Sequence, residues 1–213
     1  MTIRIALTGS GTATSTGFFK GVREHFGDAV ELIGLDVQPD NSCWPFVNLS
    51  LRVPRSDSSQ YVEYVADLCE KIGIDWLMPI LDPEFPLFDK KRDMLGSKLW
   101  LPNAATMMTD KVQAAHALQK WGLATPRILN HKDAGEALEH GQRVIAKPRL
   151  GAGGRGVRIL TTPDEVRGSD PMFEFICGRE YTVDFFAWGD EDGPAELVCG
   201  AQRIRMMTRG GVC

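Results

Sequence analysis

Lys147 ends an apolar, β-prone run, Val144-Ile-Ala-Lys147, and a loop with glycine at 151, 153, 154 and 156 begins four residues later. A second apolar run, Val157-Arg-Ile-Leu160, follows at once. These residue types and spacings read as strand, glycine-rich turn, strand. Glycine lets backbone N–H groups approach an anion closely, and Lys147 adds a fixed positive charge beside them. The chemistry that suits such a hairpin is the binding of a nucleotide polyphosphate. A hairpin tip without a ligand is the alternative that this motif alone leaves open.

Residue order separates the loop from three others. A phosphate loop of the Walker type ends in Gly-Lys-Ser/Thr, but Gly156 is followed by Val157. In a protein kinase the glycine loop precedes its lysine, whereas Lys147 comes first here, and neither His-Arg-Asp nor Asp-Phe-Gly follows. A dinucleotide fingerprint runs from strand into helix. Thr8-Gly-Ser-Gly-Thr-Ala-Thr14 does follow a first strand, and Asp36 stands where a ribose-binding acid would lie. Thr14, however, occupies the place of the third glycine, so a tight strand-to-helix turn is favoured over a nicotinamide-dependent oxidoreductase. Lys111 opens a helix, where the dipole disfavours a cation. Two lysines from different elements, Lys111 and Lys147, could clamp one polyphosphate. In Phe173-Glu-Phe-Ile-Cys-Gly-Arg-Glu180 an apolar strand passes through Gly178 into another strand. Backbone groups of such a connector can pair with an adenine edge, and the following carboxylate can take ribose hydroxyls. A plain hairpin with an exposed Glu180 is the alternative.

The first half must position these groups through alternating strands and helices. Strands are expected at 3–7, 30–35, 49–53, 76–80 and 98–101. Helices are expected at 16–26, from a cap at Ser58 or Ser59 to Ile72, and at 84–94. That rhythm predicts a parallel, Rossmann-like sheet. A helix from Thr109-Asp110 to Trp121 follows, and then strands dominate, at 143–147, 156–160, 172–176, 180–188 and 196–202. A short helix at 162–167 interrupts them, capped by Thr162 with Pro163 at its first position. Residues 189–194 read as an exposed acidic turn. The change of style places a boundary near residues 103–109. The 213 residues, 43% hydrophobic and 24% charged, can bury a sizeable core. The net charge of -4 argues against a nucleic-acid partner. No apolar run approaches the length of a membrane span, and the N-terminus enters a strand directly, so neither membrane nor signal peptide is expected. Five scattered cysteines without a C-x-x-C point to reduced thiols in a cytoplasm.

In order and spacing, Asp110-Lys111, Ala146-Lys147-Pro148, the Gly151–Gly156 loop and Glu174-Phe-Ile-x-Gly-x-Glu180 resemble the ATP-grasp superfamily. More narrowly they are similar to proteins like the large subunit of carbamoyl-phosphate synthase, and Asp82-x-Glu84 suits that group. The resemblance implies an α/β fold: a Rossmann-like, parallel-sheet domain over residues 1–106, then an α+β ATP-grasp domain over 107–213. The nucleotide-binding lobe would span about 125–188, with the next lobe starting after 194. It implies that Lys111, Lys147, Gly151, Gly153, Gly154 and Gly156 hold ATP phosphates. Glu174, Phe175, Ile176 and Cys177 would form the adenine hinge, and Glu180 would hold the ribose. Arg203 and Arg205, with the Arg209-Gly-Gly211 segment, are candidates to face a substrate carboxylate or acyl phosphate, a solvated basic strand being the alternative. The family's magnesium ligands, an acid and then a Glu-x-Asn pair, belong to a later subdomain, and Asp184, Asp190, Glu191 and Asp192 do not reproduce them. The implied activity of the complete form is ATP-dependent joining of a carboxylate to an amine through an acyl phosphate, with this chain carrying the nucleotide-binding half. A catalytically inactive nucleotide binder is the alternative. A homodimer through exposed strand residues such as Leu197 and Val198 is a further expectation.

Overall fold

A strand that is apolar on both sides needs a packed layer on each, and the first strands have them. The computed structural model describes residues 2–151, 153–189 and 196–204. β1 (Ile3–Thr8), β2 (Val30–Asp36), β3 (Leu49–Arg52) and β4 (Trp76–Met78) pair in parallel in the order β3-β2-β1-β4. β1 from Ile5 onward and most of β2 are buried, as befits central strands of a parallel sheet. Alternate residues feed two cores. Ala6, Ile33, Leu35 and Leu77 meet Tyr61, Val62, Val65 and Cys69 of a helix at Tyr61–Lys71. Ile5, Leu7, Val30 and Leu32 meet Phe19 of a second helix at Ala13–Phe26. In chain order these two helices are α1 (Ala13–Phe26) and α2 (Tyr61–Lys71). Thr12 caps α1 by accepting from the Ser15 amide.

Three sequence expectations change in this region. The helix expected at 84–94 is two short ones, α3 (Phe85–Asp89) and α4 (Arg92–Leu95). The strand expected at 98–101 is a single parallel bridge, Leu77 to Leu99, because residues 96–98 turn as a 3-10 helix just before it. Neither Ser58 nor Ser59 caps α2, whose N-cap position falls on Gln60 without a side-chain bond.

Glu84, only 2% exposed, ties this region together. Its carboxylate accepts from the Thr8 hydroxyl of β1, from the Tyr61 hydroxyl of α2 at 2.5 Å and from the Leu81 amide at 3.4 Å. Burial pushes the Glu84 carboxyl up, against the pull of the Thr8 and Tyr61 hydrogen bonds.

The chain divides into two compact units, Met1–Asp110 and Lys111–Cys213. α5 (Ala105–Thr109) closes the first and α6 (Lys111–Lys120) opens the second; the helix expected from Thr109-Asp110 to Trp121 is α6, which extended backbone at Asp110 separates from the unforeseen α5. The second unit continues with β5 (Ile128–Leu129), α7 (His131–Glu139), β6 (Val144–Ala146), β7 (Arg158–Leu160) and β8 (Met172–Glu174). These four strands are antiparallel wherever they pair, in the order β5-β8-β6-β7. α7 lays Ala134 and Leu138 against Leu129, Val144, Ala146, Leu160 and Met172, which covers one face of this sheet. The helix expected at 162–167 is a 3-10 turn, Pro163–Glu165, whose Glu165 carboxylate accepts from the Thr161 and Thr162 amides.

β9 (Tyr181–Trp188) and β10 (Glu196–Ile204) form a separate antiparallel hairpin. One of its faces carries Tyr181, Val183 and Phe185 opposite Ile204, Gln202 and Gly200. The other carries Asp184, paired with Arg203 at 3.1 Å. From Asp190 on, the expected acidic turn lies outside the described residues, as do Arg205 and the Arg209-Gly-Gly211 segment. No helix among the described residues is long and apolar enough to cross a membrane.

A carboxyl whose pKa rises on folding favours the folded state while protonated. Glu84 therefore contributes most below its unfolded value of about 4.3, and that contribution falls away as pH rises through the folded value. Glu84→Gln is expected to abolish this decline. Glu84→Ala leaves the Tyr61 and Thr8 hydroxyls unpaired in the interior and is expected to cost about 2–4 kcal/mol. Urea unfolding followed across the acidic-to-neutral range measures both.

Candidate functional site

α7 occupies one face of the second unit's sheet, so the other face is available to a ligand. Side chains alternate along β6. Val144 and Ala146 enter the core, while Arg143, Ile145 and Lys147 fall on the opposite face. β8 pairs Ile145 with Phe173 and Val144 with Glu174, and the same register sets Arg143 across from Phe175. The Arg143 Cζ lies 4.0 Å from the Phe175 ring centroid, and the Lys147 Nζ lies 4.3 Å from that of Phe173. This face floors a cleft of about 530 Å³, whose further walls are Pro126 and the segment from Glu174 to Glu180.

Lys147, Glu174, Phe175, Ile176, Cys177 and Glu180, all expected from sequence, thus line one cleft. The Glu174 carboxylate is tied to Arg127, accepting from its backbone amide at 3.3 Å and from its Nε at 3.4 Å. Lys111 sits at the first position of α6, and its amide donates to the Arg149 carbonyl at 3.1 Å. Its Nζ donates to the Gly151 carbonyl at 2.7 Å, which brings the lysine to the glycine loop. Burial, and then the nearby Lys111 charge, push the Lys147 ammonium pKa down. None of the ion pairs among the described residues includes Lys147.

Gly151, Gly153, Gly154 and Gly156 all have positive φ, at 120°, 68°, 70° and 73°. Gly156 is also crowded, since a Cβ there would lie 2.7 Å from Pro148 Cγ. Arg203 pairs with Asp184 on the hairpin and is not among the residues lining the cleft. Six lining residues, Pro126, Arg143, Ile145, Phe173, Gly178 and Arg179, were not among the expected site residues. Three of them had a usable signal: Arg143 and Ile145 stand four and two residues before Lys147, and Phe173 stands two before Phe175, each spacing keeping one strand face.

The turn after β1 is held from within. Asp36 accepts from the Gly11 amide at 2.9 Å through one oxygen and from the Gln38 amide at 3.0 Å through the other. Gly9 has φ 56°, and a Cβ on it would lie 2.7 Å from Leu81 Cγ. Packing and loop closure thus account for the glycine and the acid that a dinucleotide fingerprint would use. No group of three or more His, Cys, Asp or Glu residues among those described could hold a metal ion. Cys43, Cys69, Cys177 and Cys199 are free thiols.

Residues 108–212 match the ATP-grasp domain family, and residues 5–99 match the PylC-like N-terminal domain family. Among solved structures, the chain resembles N5-carboxyaminoimidazole ribonucleotide synthetase from Thermotoga maritima, at 18% identity and a TM-score of 0.65, over 94% of this chain and 53% of that one. The biotin carboxylase domain of Hydrogenobacter thermophilus 2-oxoglutarate carboxylase, crystallised with MgADP, ADP and bicarbonate, matches at 17% identity and a TM-score of 0.66, over 94% and 50%. The N5-carboxyaminoimidazole synthetase of Staphylococcus aureus complexed with ADP matches at 14% and 0.67, over 95% and 55%. The chain therefore spans about half the length of the structures it resembles. No curated protein matches it significantly.

Two outcomes test this geometry. Lysine side-chain NMR is expected to show the Lys147 ammonium titrating below exposed lysines, which lie near 10.4. Because its pKa falls on folding, Lys147 is expected to add to stability as pH rises toward that value. Gly156→Ala is expected to cost roughly 1–2 kcal/mol for the left-handed backbone, with the Pro148 clash adding to it, whereas Gly153→Ala bears only the backbone cost. Urea midpoints of the two variants compare them.

Proposed function

From a chain that joins a PylC-like N-terminal domain to an ATP-grasp domain, we propose that the second unit binds ATP and serves an ATP-dependent ligase. The observation that carries this reading is Lys147, at one end of the cleft, with the charge of Lys111 close to it. The two ammonium groups repel each other beside a loop of left-handed glycines, and Lys147 has no ion pair among the described residues. A polyphosphate would relieve that repulsion and gain charge-assisted hydrogen bonds. The apolar floor of Ile145 and Phe173 suits a nucleobase.

In this reading the base lies against that floor, and its edge pairs with backbone groups of residues 174–177. Glu180 takes the ribose hydroxyls. Lys147 and Lys111 hold the phosphates, and Gly151, Gly153, Gly154 and Gly156 let the loop approach them closely. In the whole protein, a carboxylate oxygen would attack the γ-phosphorus and ADP would leave. An amine would then attack the acyl carbon, forming the C–N bond and releasing phosphate. Arg203 and Arg205 are the candidates for contact with the acyl phosphate, a small carboxylate being the substrate. These residues would contribute positioning and charge neutralisation. Kinship with the large subunit of carbamoyl-phosphate synthase, magnesium as the companion of ATP, and a cytoplasmic setting with reduced thiols belong to the same reading. No step is assigned to magnesium.

Calorimetric titration of the chain with ATP and ADP tests the proposal. At a hundred times its Kd, either nucleotide is expected to stabilise the fold by about 2.7 kcal/mol. Lys147→Ala is expected to raise Kd at least about tenfold, or roughly 1.4 kcal/mol, with Lys111→Ala acting in the same direction. Nucleotide affinity unchanged in both variants overturns the assignment.

A further inference from the structure

We propose that Arg143 is the recognition residue for the base end of the nucleotide, its guanidinium stacking on the purine. This inference rests on the cleft holding a nucleotide. Arg143 and Lys147 project from the same face of one strand, four residues apart. At about 3.3 Å per residue they stand roughly 13 Å from each other. That is about the reach from a nucleobase to the far end of its phosphate chain.

The two cations have different surroundings. Lys147 adjoins Lys111 and the glycine loop, an arrangement for charge. Arg143 lies over the Phe175 ring at 4.0 Å, and its Nη2 is 3.9 Å from the Cys177 sulfur. These neighbours are the hinge residues themselves. A guanidinium is planar and more weakly hydrated than an ammonium, so it can stack on an aromatic with one face and offer the other to a second ring. A base entering between Ile145 and the hinge meets that plane. The contact depends on the base and not on the phosphates. It is stronger for a purine, which has the larger π-surface, than for a pyrimidine.

Titration of the full chain with AMP, ADP, ATP and CTP separates the roles of the two cations. Arg143→Met is expected to weaken AMP, ADP and ATP by the same factor, about 3- to 30-fold, and to reduce the preference for ATP over CTP. Arg143→Lys keeps the charge and most of the stem, and is expected to lose the same preference. Lys147→Ala is expected to weaken binding progressively from AMP to ATP and to leave the ATP-to-CTP ratio unchanged. A loss in the Arg143 variants that grows with phosphate number makes Arg143 a phosphate ligand and overturns the proposal. An unchanged ATP-to-CTP ratio reduces it to a prop for Phe175 and overturns it too. Lys147-dependent binding that ignores Arg143 refutes this inference alone. If the unaltered chain binds no nucleotide, the reading beneath it fails as well.

Discussion

A partly buried ammonium beside another ammonium, in no ion pair with a carboxylate among the described residues, is the constraint on which the second unit turns. Lys147 pays for its position in lost hydration, and Lys111 adds repulsion. An aromatic face at 4.3 Å offsets only part of this. Such an arrangement is stable because the surrounding sheet leaves the side chain little alternative. The Lys147 amide is bonded to the Pro171 carbonyl at 3.2 Å, which continues the β6–β8 ladder one residue past its last pair. The side chain is thereby committed to the cleft face.

What holds the sheet in that posture is the opposite face. Val144, Ala146, Leu160 and Met172 are nearly inaccessible beneath α7. Their burial supplies the stability against which the half-buried charge is set. Local order follows the same division. Main-chain ladders and apolar packing fix β6 and β8, whereas the glycine loop between β6 and β7 follows a left-handed path that few residues other than glycine take readily. A rigid floor below a conformationally permissive loop is a combination suited to enclosing a ligand.

Much of this could be read in the chain. The buried runs at 3–8 and 30–36 pointed to the parallel sheet, and the order of Lys111, Lys147, the glycines and the 174–180 segment pointed to the ATP-grasp domain. Other features lay beyond local pattern. α7 has mostly polar residues and buries only Ala134 and Leu138, so although it is amphipathic it carries too few large apolar residues to stand out. Asn130, whose side chain accepts from the Asp133 amide at 2.8 Å, was the available sign of its start. Residues 98–101 look like a strand because they are apolar, yet Leu99 and Leu101 are buried by packing on the core beside β4 and not by a ladder. Arg143 escaped notice because an arginine at a strand end usually reads as solvated. Only the register with β8 shows which aromatic it covers.

That register makes the strand sensitive to length in a particular way. Val144–Ala146 and Met172–Glu174 are three residues each, and along 143–147 every second side chain belongs to the cleft. Adding or deleting one residue within 143–147 exchanges the two faces, sending a charged group toward α7 and an aliphatic one toward the cleft. A change of two residues restores the parity. The sheet thus has a reading frame of two. Related chains that keep this cleft should differ in length here by even steps or not at all, while the connector from β7 to β8 is under no such parity.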